Sequence, residues 1–386
     1  MTTSMAGTRQ PMESFVNPPL IASQTEAPDV LALLSNVTMA HGVDGLSAKL
    51  VELRSWMGDD LAEVEAALSA TEQQRKNGDL STLSAASSSA TPMHKSARHL
   101  LELGGKRLRP LCVALAARVG GGFTPAVREL AIAVELVHNA TLLHDDVIDM
   151  GDRRRGAETA RVIYGNAASI YAGDWLLVDA LRRIQATAIP GLLEKSLGVL
   201  NEMLEAEAIQ LANRGNVRGT VSDYFRVIEG KTASLFRWAL FAGGRAGGVS
   251  IEQCADLERY GQNLGVAFQV VDDVLDLAGD PAVVGKSLFA DLHEGKMTYP
   301  LLLAIERDAA LASEMEAACA AGVLNLDAAL EQHITSVLWD SGVVEDCLRL
   351  ARRCSDDAVA ALSALPTSRA RTALEQVAVA LVHREK

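Results

Sequence analysis

The sequence predicts an all-α protein, and three observations carry that prediction. Alternation of apolar and polar residues with a period of two is missing, so no segment reads as a half-buried strand. Val and Ile are scattered among Ala and Leu in long stretches of helical spacing, punctuated by Gly clusters such as GGRAGG at 243–248. Two segments, 129–149 (ELAIAVELVHNATLLHDDVID) and 257–277 (LERYGQNLGVAFQVVDDVLDL), are apolar nearly all round, the mark of helices buried in a large core.

Along the chain, residues 1–30 are polar with scattered Pro, Ser, Thr and Gly, and 1–45 is expected to be a largely disordered tail. Over 46–76 apolar residues recur at helical spacing (Leu50, Leu53, Trp56, Met57, Leu61, Val64, Leu68), which predicts an N-terminal helical segment. The Ser-rich stretch 77–92 has linker composition. The remainder, 93–386, reads as one large helical domain that carries the chemistry.

Composition narrows the function. A 49% hydrophobic and 22% charged chain of 386 residues is too apolar for wholesale disorder. Its 36 Lys and Arg against 49 Asp and Glu give a net charge of −13, with no long basic run. That excludes nucleic acid and anionic membrane as default partners, while leaving room for a local basic pocket. Five cysteines form no CxxC pair and read as incidental thiols in a reducing compartment. No apolar stretch approaches the roughly 20 residues of a membrane span, and no secretory signal is visible. A cytoplasmic enzyme, not integral to a membrane, is the expectation.

The two buried helices end in aspartates. Asp145, Asp146 and Asp149 form one DDxxD; Asp272, Asp273 and Asp276 form another. In each, the first and last carboxylates lie one turn apart on one face, with the middle one flanking. Three like charges there repel one another, and the helix dipole disfavours anions at a C-terminus. A single DDxxD is as readily a solvated acidic face. Two copies, each terminating a buried helix, make sense if divalent cations and a polyphosphate lie between them, since Mg²⁺ favours one or two carboxylates plus phosphate oxygens and water. His138 and Gln269 fall on nearly the same stripes as their clusters.

Cations that could meet a diphosphate follow the same order. Gly104 to Pro110 reads GGKRLRP, with Lys106 and Arg109 beside a flexible Gly pair; a solvated basic patch is its bland alternative. Arg153, Arg154 and Arg155 follow the first cluster and could simply neutralise it. Lys231-Thr232, Lys286 and Lys296 come later.

GGKRLRP, DDVIDxxxxRRG (145–156), GKTASLF (230–236), FQVVDDVLD (268–276) and GKxxxxDxxxGKxTxP (285–300), in this order, resemble the trans-isoprenyl diphosphate synthases (polyprenyl synthetases) over roughly 46–386. The resemblance implies a large bundle of mostly antiparallel helices around a central cavity, as a homodimer. It implies head-to-tail condensation of isopentenyl diphosphate with an allylic prenyl diphosphate, releasing pyrophosphate, with three Mg²⁺ ions per active site. By motif position, Asp145, Asp149 and Asp272 resemble the metal ligands, and Asp146, Asp273 and Asp276 their support. Arg154, Lys231, Lys286 and Lys296 resemble the residues that hold the allylic diphosphate. Lys106, Arg109, His138 and Arg155 resemble the isopentenyl diphosphate pocket. The carbonyls and hydroxyl of Lys231, Thr232 and Gln269 would face the carbocation, and no protein nucleophile is required.

Family members that stop at short products carry bulky aromatics four or five residues before the first Asp. Here these positions are Thr141 and Ala140, with Val137 a turn below Thr141. The small pair resembles the long-chain type, beyond C20; another cavity wall could instead supply the stop and give a C15 or C20 product. Phe289, Ala290 and Tyr299 depart from the family pattern without removing a metal ligand. Terpene cyclases and head-to-head synthases lack this motif order. A non-catalytic subunit would be expected to have lost aspartates or the GKxxR cations, which are intact.

Overall fold

A computed structural model describes residues 31–32, 34–35, 44–70, 91–279, 288–319 and 326–383. Its helices are α1 (Asp44–Ala70), α2 (Pro92–Glu102), α3 (Leu108–Val119), α4 (Pro125–Ile148), α5 (Ala160–Tyr164), α6 (Asn166–Ala186), α7 (Leu192–Ala212), α8 (Val221–Ile228), α9 (Ser234–Ala246), α10 (Ile251–Ala278), α11 (Ala290–His293), α12 (Tyr299–Arg307), α13 (Ala309–Cys319), α14 (Ala328–Asp340), α15 (Val343–Ala361) and α16 (Arg369–Val382). The all-α expectation holds.

The two all-round apolar segments are the central helices. Thr124 caps α4 by accepting from the Val127 N–H at 3.3 Å, and Pro125 opens the helix with φ already set. Ser250 and Gln253 close a capping box at the start of α10. Helix α4 packs against α3 and α6, and α10 against α9 and α15. One apolar cluster joins α1 to α7, α9, the first half of α10 and α16; a second surrounds the rest of α10 with α12 to α15. Helix α10 thus threads both cores and delivers its aspartates at the far end.

Several expectations are revised. Gly243 and Gly244 do not break a helix but lie inside α9. A Cβ on Gly243 would stand 2.2 Å from the Val113 carbonyl oxygen, so the glycine lets α9 and α3 meet backbone to backbone. The chain also contains a strand pair: Arg153–Arg154 runs antiparallel to Ala157–Glu158. Its turn residues Arg155 and Gly156 both have positive φ, 52° and 80°, as a tight two-residue hairpin requires. A pairing two residues long leaves no alternation to read. Within the expected tail, Leu31 and Leu34 are fully buried, and the Ser35 and Ser47 hydroxyls hydrogen-bond at 2.9 Å. Helix α1 joins the main core through Leu50, Leu53, Met57, Val64 and Leu68. Most of the linker 77–92, and Lys286, lie outside the described residues.

Candidate active site

The first aspartate motif closes α4, with Asp149 as its C-cap. Helix α4 is buried through its middle, and in its C-terminal half the half-buried residues His138, Thr141, Leu142 and Asp145 recur at helical spacing and lead to Asp149, so the motif continues one accessible face. Side-chain cations meet each carboxylate. The guanidinium of Arg154 donates to Asp146 at 2.8 and 2.9 Å, and the hairpin is what folds Arg154 back onto that buried carboxylate. Burial raises the Asp146 pKa, and Arg154 opposes the shift. Asp149 pairs with Lys296 at 2.9 Å and with Arg214, and Asp145 stands 3.5 Å from the Lys231 ammonium.

The second motif occupies the last turns of α10. Asp272 is half-buried and makes no hydrogen bond or ion pair among the described residues. Asp273 is buried and accepts from the Tyr224 hydroxyl at 2.6 Å and from Gln269 at 2.8 Å. Burial holds its carboxyl well above the usual range, with nearby Asp291 adding to the shift. Asp276 accepts from the Ala290 and Asp291 backbone N–H groups, each at 3.2 Å, and so tethers the start of α11.

Between the motifs, Glu229–Ala233 forms a π-helical turn joining α8 to α9. Such wide turns re-aim side chains and recur at functional sites. This one presents Lys231 to Glu207 at 2.7 Å and Gln210 at 2.9 Å, and Thr232 to the Gln269 amide oxygen at 2.8 Å. A cleft is lined by Lys231, Thr232, Gln269, Asp273, Asp291 and Lys296. Its two lysines pair with the first motif, and Gln269 and Asp273 bring in the second. Burial alone would lower the Lys296 pKa; Glu294, Asp291 and Asp149 outweigh it and hold the ammonium charged.

A second basic site lies two turns below Asp145. His138 is held well below its ordinary pKa by burial and by the surrounding Arg109, Arg155, Arg154 and Arg107, which makes the ring neutral. The Arg109 guanidinium stacks over Phe236 at 4.6 Å, and its buried Nε has no hydrogen-bond partner. Burial lowers the pKa of Arg109 and of Arg155, which is what an arginine short of counter-charge shows. Lys106 is exposed. The structure therefore brings together Arg109, His138 and Arg155, and separately Asp145, Asp149, Lys231 and Lys296. Arg154 is turned onto Asp146 through Nε and Nη2. Val137 and Ala140 are buried in the core, off the stripe, and Thr141 is on it with its hydroxyl bonded to the His138 carbonyl at 2.8 Å.

The sequence reading missed Arg214, Glu207, Gln210 and Tyr224. Tyr224 and Lys231 lie seven residues apart, two helical turns, which was a usable signal; Arg214 reaches Asp149 from a loop, and no spacing betrays it. The site suits a hard divalent cation. Asp145, Asp149 and Asp272 offer carboxylate oxygens, and one oxygen of Asp146 is buried without a hydrogen bond. Among the described residues no three His, Cys, Asp or Glu converge into a self-sufficient metal site, so an ion would complete its shell with phosphate and water, the mode Mg²⁺ favours. Burial pushes the thiols of Cys112 and Cys347 up to about 12, so neither serves as a nucleophile at neutral pH.

A helical bundle with paired aspartate motifs over a lysine-lined cleft defines the class of isoprenoid-synthase folds, and the comparisons narrow it. Residues 91–332 match the polyprenyl synthetase family. The octaprenyl diphosphate synthase of Escherichia coli (strain K12) is 36% identical over 296 residues, covering 75% of this chain and 88% of that enzyme. The geranylgeranyl diphosphate synthase of Methanosarcina mazei is 38% identical over 220 residues, 56% of this chain and 68% of its own. The structure of the Caulobacter crescentus CB15 polyprenyl synthase, complexed with calcium and isoprenyl diphosphate, superposes with a TM-score of 0.77 at 35% identity, covering 86% of this chain and 97% of that one. The chain belongs to the polyprenyl synthetase family and is a trans-prenyltransferase.

Proposed function

We propose that the cleft joins isopentenyl diphosphate head to tail to an allylic prenyl diphosphate and extends the chain beyond C20. The observation that carries this reading is the pairing of two anion sites: a cleft where Lys231 and Lys296 pair with the first aspartate motif and Asp273 of the second joins the lining, and an arginine pocket around neutral His138 two turns away. A cyclase needs only the first.

Lys231 and Lys296, with Lys286 from outside the described residues, hold the allylic diphosphate. Asp145, Asp149 and Asp272 hold Mg²⁺, three ions per site, and Asp273 and Asp276 brace the second motif. Bound Mg²⁺ supplies Lewis-acid stabilisation of the charge that develops on the departing pyrophosphate. The fixed dipoles of Thr232 and Gln269, locked by their mutual hydrogen bond, face the carbon left electron-poor. Lys106, Arg109, His138 and Arg155 fix isopentenyl diphosphate so that its double bond is presented to that carbon. The attack leaves positive charge on the isopentenyl unit, and a proton lost from the neighbouring carbon restores a double bond and departs with pyrophosphate. Arg154 acts through Asp146 by neutralising it. Small Thr141 on the open stripe leaves the tail room to grow.

The enzyme acts as a cytoplasmic homodimer. No helix among the described residues is long and apolar enough to cross a membrane. Leu197, Leu204 and Leu211 recur every seven residues along α7 at 51, 70 and 56% exposure, beside exposed Ile170, Tyr171 and Val178 on α6, an apolar face suited to a second copy.

Mass spectrometry of products made with Mg²⁺, isopentenyl diphosphate and C5 to C20 primers tests the reading. A discrete product beyond C20, lost in Asp145→Ala and Asp272→Ala, is expected. A stop at C15 or C20 overturns the long-chain assignment, and no elongation from any primer overturns the site assignment.

A further inference from the structure

Helix α1 lies outside the family match and outside both anion sites, yet it reaches one of them. Arg107 stands between Lys106 and Arg109 in GGKRLRP, with φ at 52°, a left-handed conformation that a β-carbon-bearing residue keeps only when its surroundings hold it. Its buried guanidinium is claimed on two sides. Glu65 of α1 accepts from Nε at 2.7 Å and Nη2 at 2.9 Å, a bidentate pair, while Glu135 of α4 accepts from Nη1 at 2.7 Å. Neither bond involves the anion pocket.

The charges explain why both carboxylates are present. Arg107 and Arg155 crowd together: a Cβ on Gly105 would stand 3.2 Å from Nη1 of the first and Nη2 of the second. Glu135 is the carboxylate whose field acts on Arg107, Arg109 and Arg155 alike. Were it the sole partner of Arg107, it would be drawn onto that one guanidinium, and Arg107 would be free to swing toward the pocket. Glu65 supplies the second negative charge and holds the head group in place through Nε and Nη2. Other α1 side chains are tied to different elements: Asp60 pairs with Arg118 at 2.6 Å, and Trp56 is stacked between Arg118 and Arg369.

We infer that Glu65 is a positioning residue for the isopentenyl diphosphate pocket, acting through Arg107 to set the loop that presents Lys106 and Arg109. The inference rests on the assignment of that pocket under the proposed function.

Steady-state kinetics on the full chain test it, with both substrates varied in turn, isopentenyl diphosphate binding measured by calorimetry and thermal melts run beside them. Glu65→Ala is expected to raise KM and Kd for isopentenyl diphosphate about tenfold, the size of one lost charge-assisted bond, and to leave the allylic KM within about twofold. Asp60→Ala breaks the neighbouring α1 contact and should lower Tm without moving either KM. Should Glu65→Ala not fold, Glu65→Gln carries the same test, with a shift in the same direction. Unchanged affinity in the Glu65 variants, or an equal shift in Asp60→Ala, overturns the inference. Arg109→Ala separates the two layers. If it weakens isopentenyl diphosphate while the Glu65 variants are silent, the inference alone falls; if it too is silent, the pocket assignment falls with it.

Discussion

At Asp273 a single side chain shows how the site manages charge it cannot disperse into water. The carboxyl is buried, neighbours Asp291 and is stabilised by the Tyr224 hydroxyl and the Gln269 amide. Tyr224→Phe removes the shorter bond and leaves the rest of the ring stacked on Tyr299. Losing a buried hydrogen bond costs about 1–3 kcal/mol, so Tm is expected to fall by a few degrees in a thermal melt, and kcat/KM to fall about tenfold in steady-state assays as Asp273 loosens. Asp146 is less forgiving. Arg154→Ala strands a buried carboxylate, which costs about 3–5 kcal/mol, and a denaturant melt should show the loss. His138 gives a pH signature. The unfolded ring takes up a proton near pH 6.5 and the folded one does not, so its contribution is fully present above that pH and is lost as the solution is acidified. Unfolding free energy measured at pH 7.5 and 5.5 should fall less steeply in His138→Gln.

Among the elements, the π-helical turn does most to shape the cleft, and it depends on Gly230. A Cβ there would stand 2.7 Å from the Ala206 Cβ and 2.8 Å from the Glu202 carbonyl oxygen, so α7 would have to retreat. Gly230→Ala is expected to cost about 1–3 kcal/mol, read as a lower Tm, and to lower kcat by displacing Lys231 from Glu207. This turn marks where sequence reading reaches its limit. The aspartate helices were legible because their apolar faces and terminal charges are local patterns of period 3.6. One extra residue in a turn leaves that pattern unbroken on either side, so EGKTA reads as ordinary helix. The two-residue strands at Arg153–Glu158 are too short for any period. The small residues in α9 read as punctuation because the carbonyl they accommodate belongs to α3, more than a hundred residues upstream. The site divides in the same way. Lys231 and Lys296 stand in motifs, whereas Arg214 and Glu65 matter only through partners that tertiary folding brings near.

For the whole molecule, the three exposed leucines spaced seven residues apart on α7 would tie the proposed dimer to activity, because the same helix carries Glu207 and Gln210 against Lys231. Leu204→Glu places a charge at the most exposed of the three. Light scattering after gel filtration should then report a monomer where the parent is a dimer, with a loss of kcat larger than any loss of Tm. A parent that already runs as a monomer would remove the dimer proposal.

The scarcity of counter-charge around Arg109 and Arg155 has a thermodynamic corollary. A protein that folds around cations short of anions gains stability from whatever anion binds there, and its stability becomes a function of the solution. Pyrophosphate at a hundred times its dissociation constant would add about 2.7 kcal/mol to the unfolding free energy. The enzyme would thus be most resistant to heat and proteolysis when its substrates and released product are plentiful, and most readily turned over when the flow of prenyl units stops.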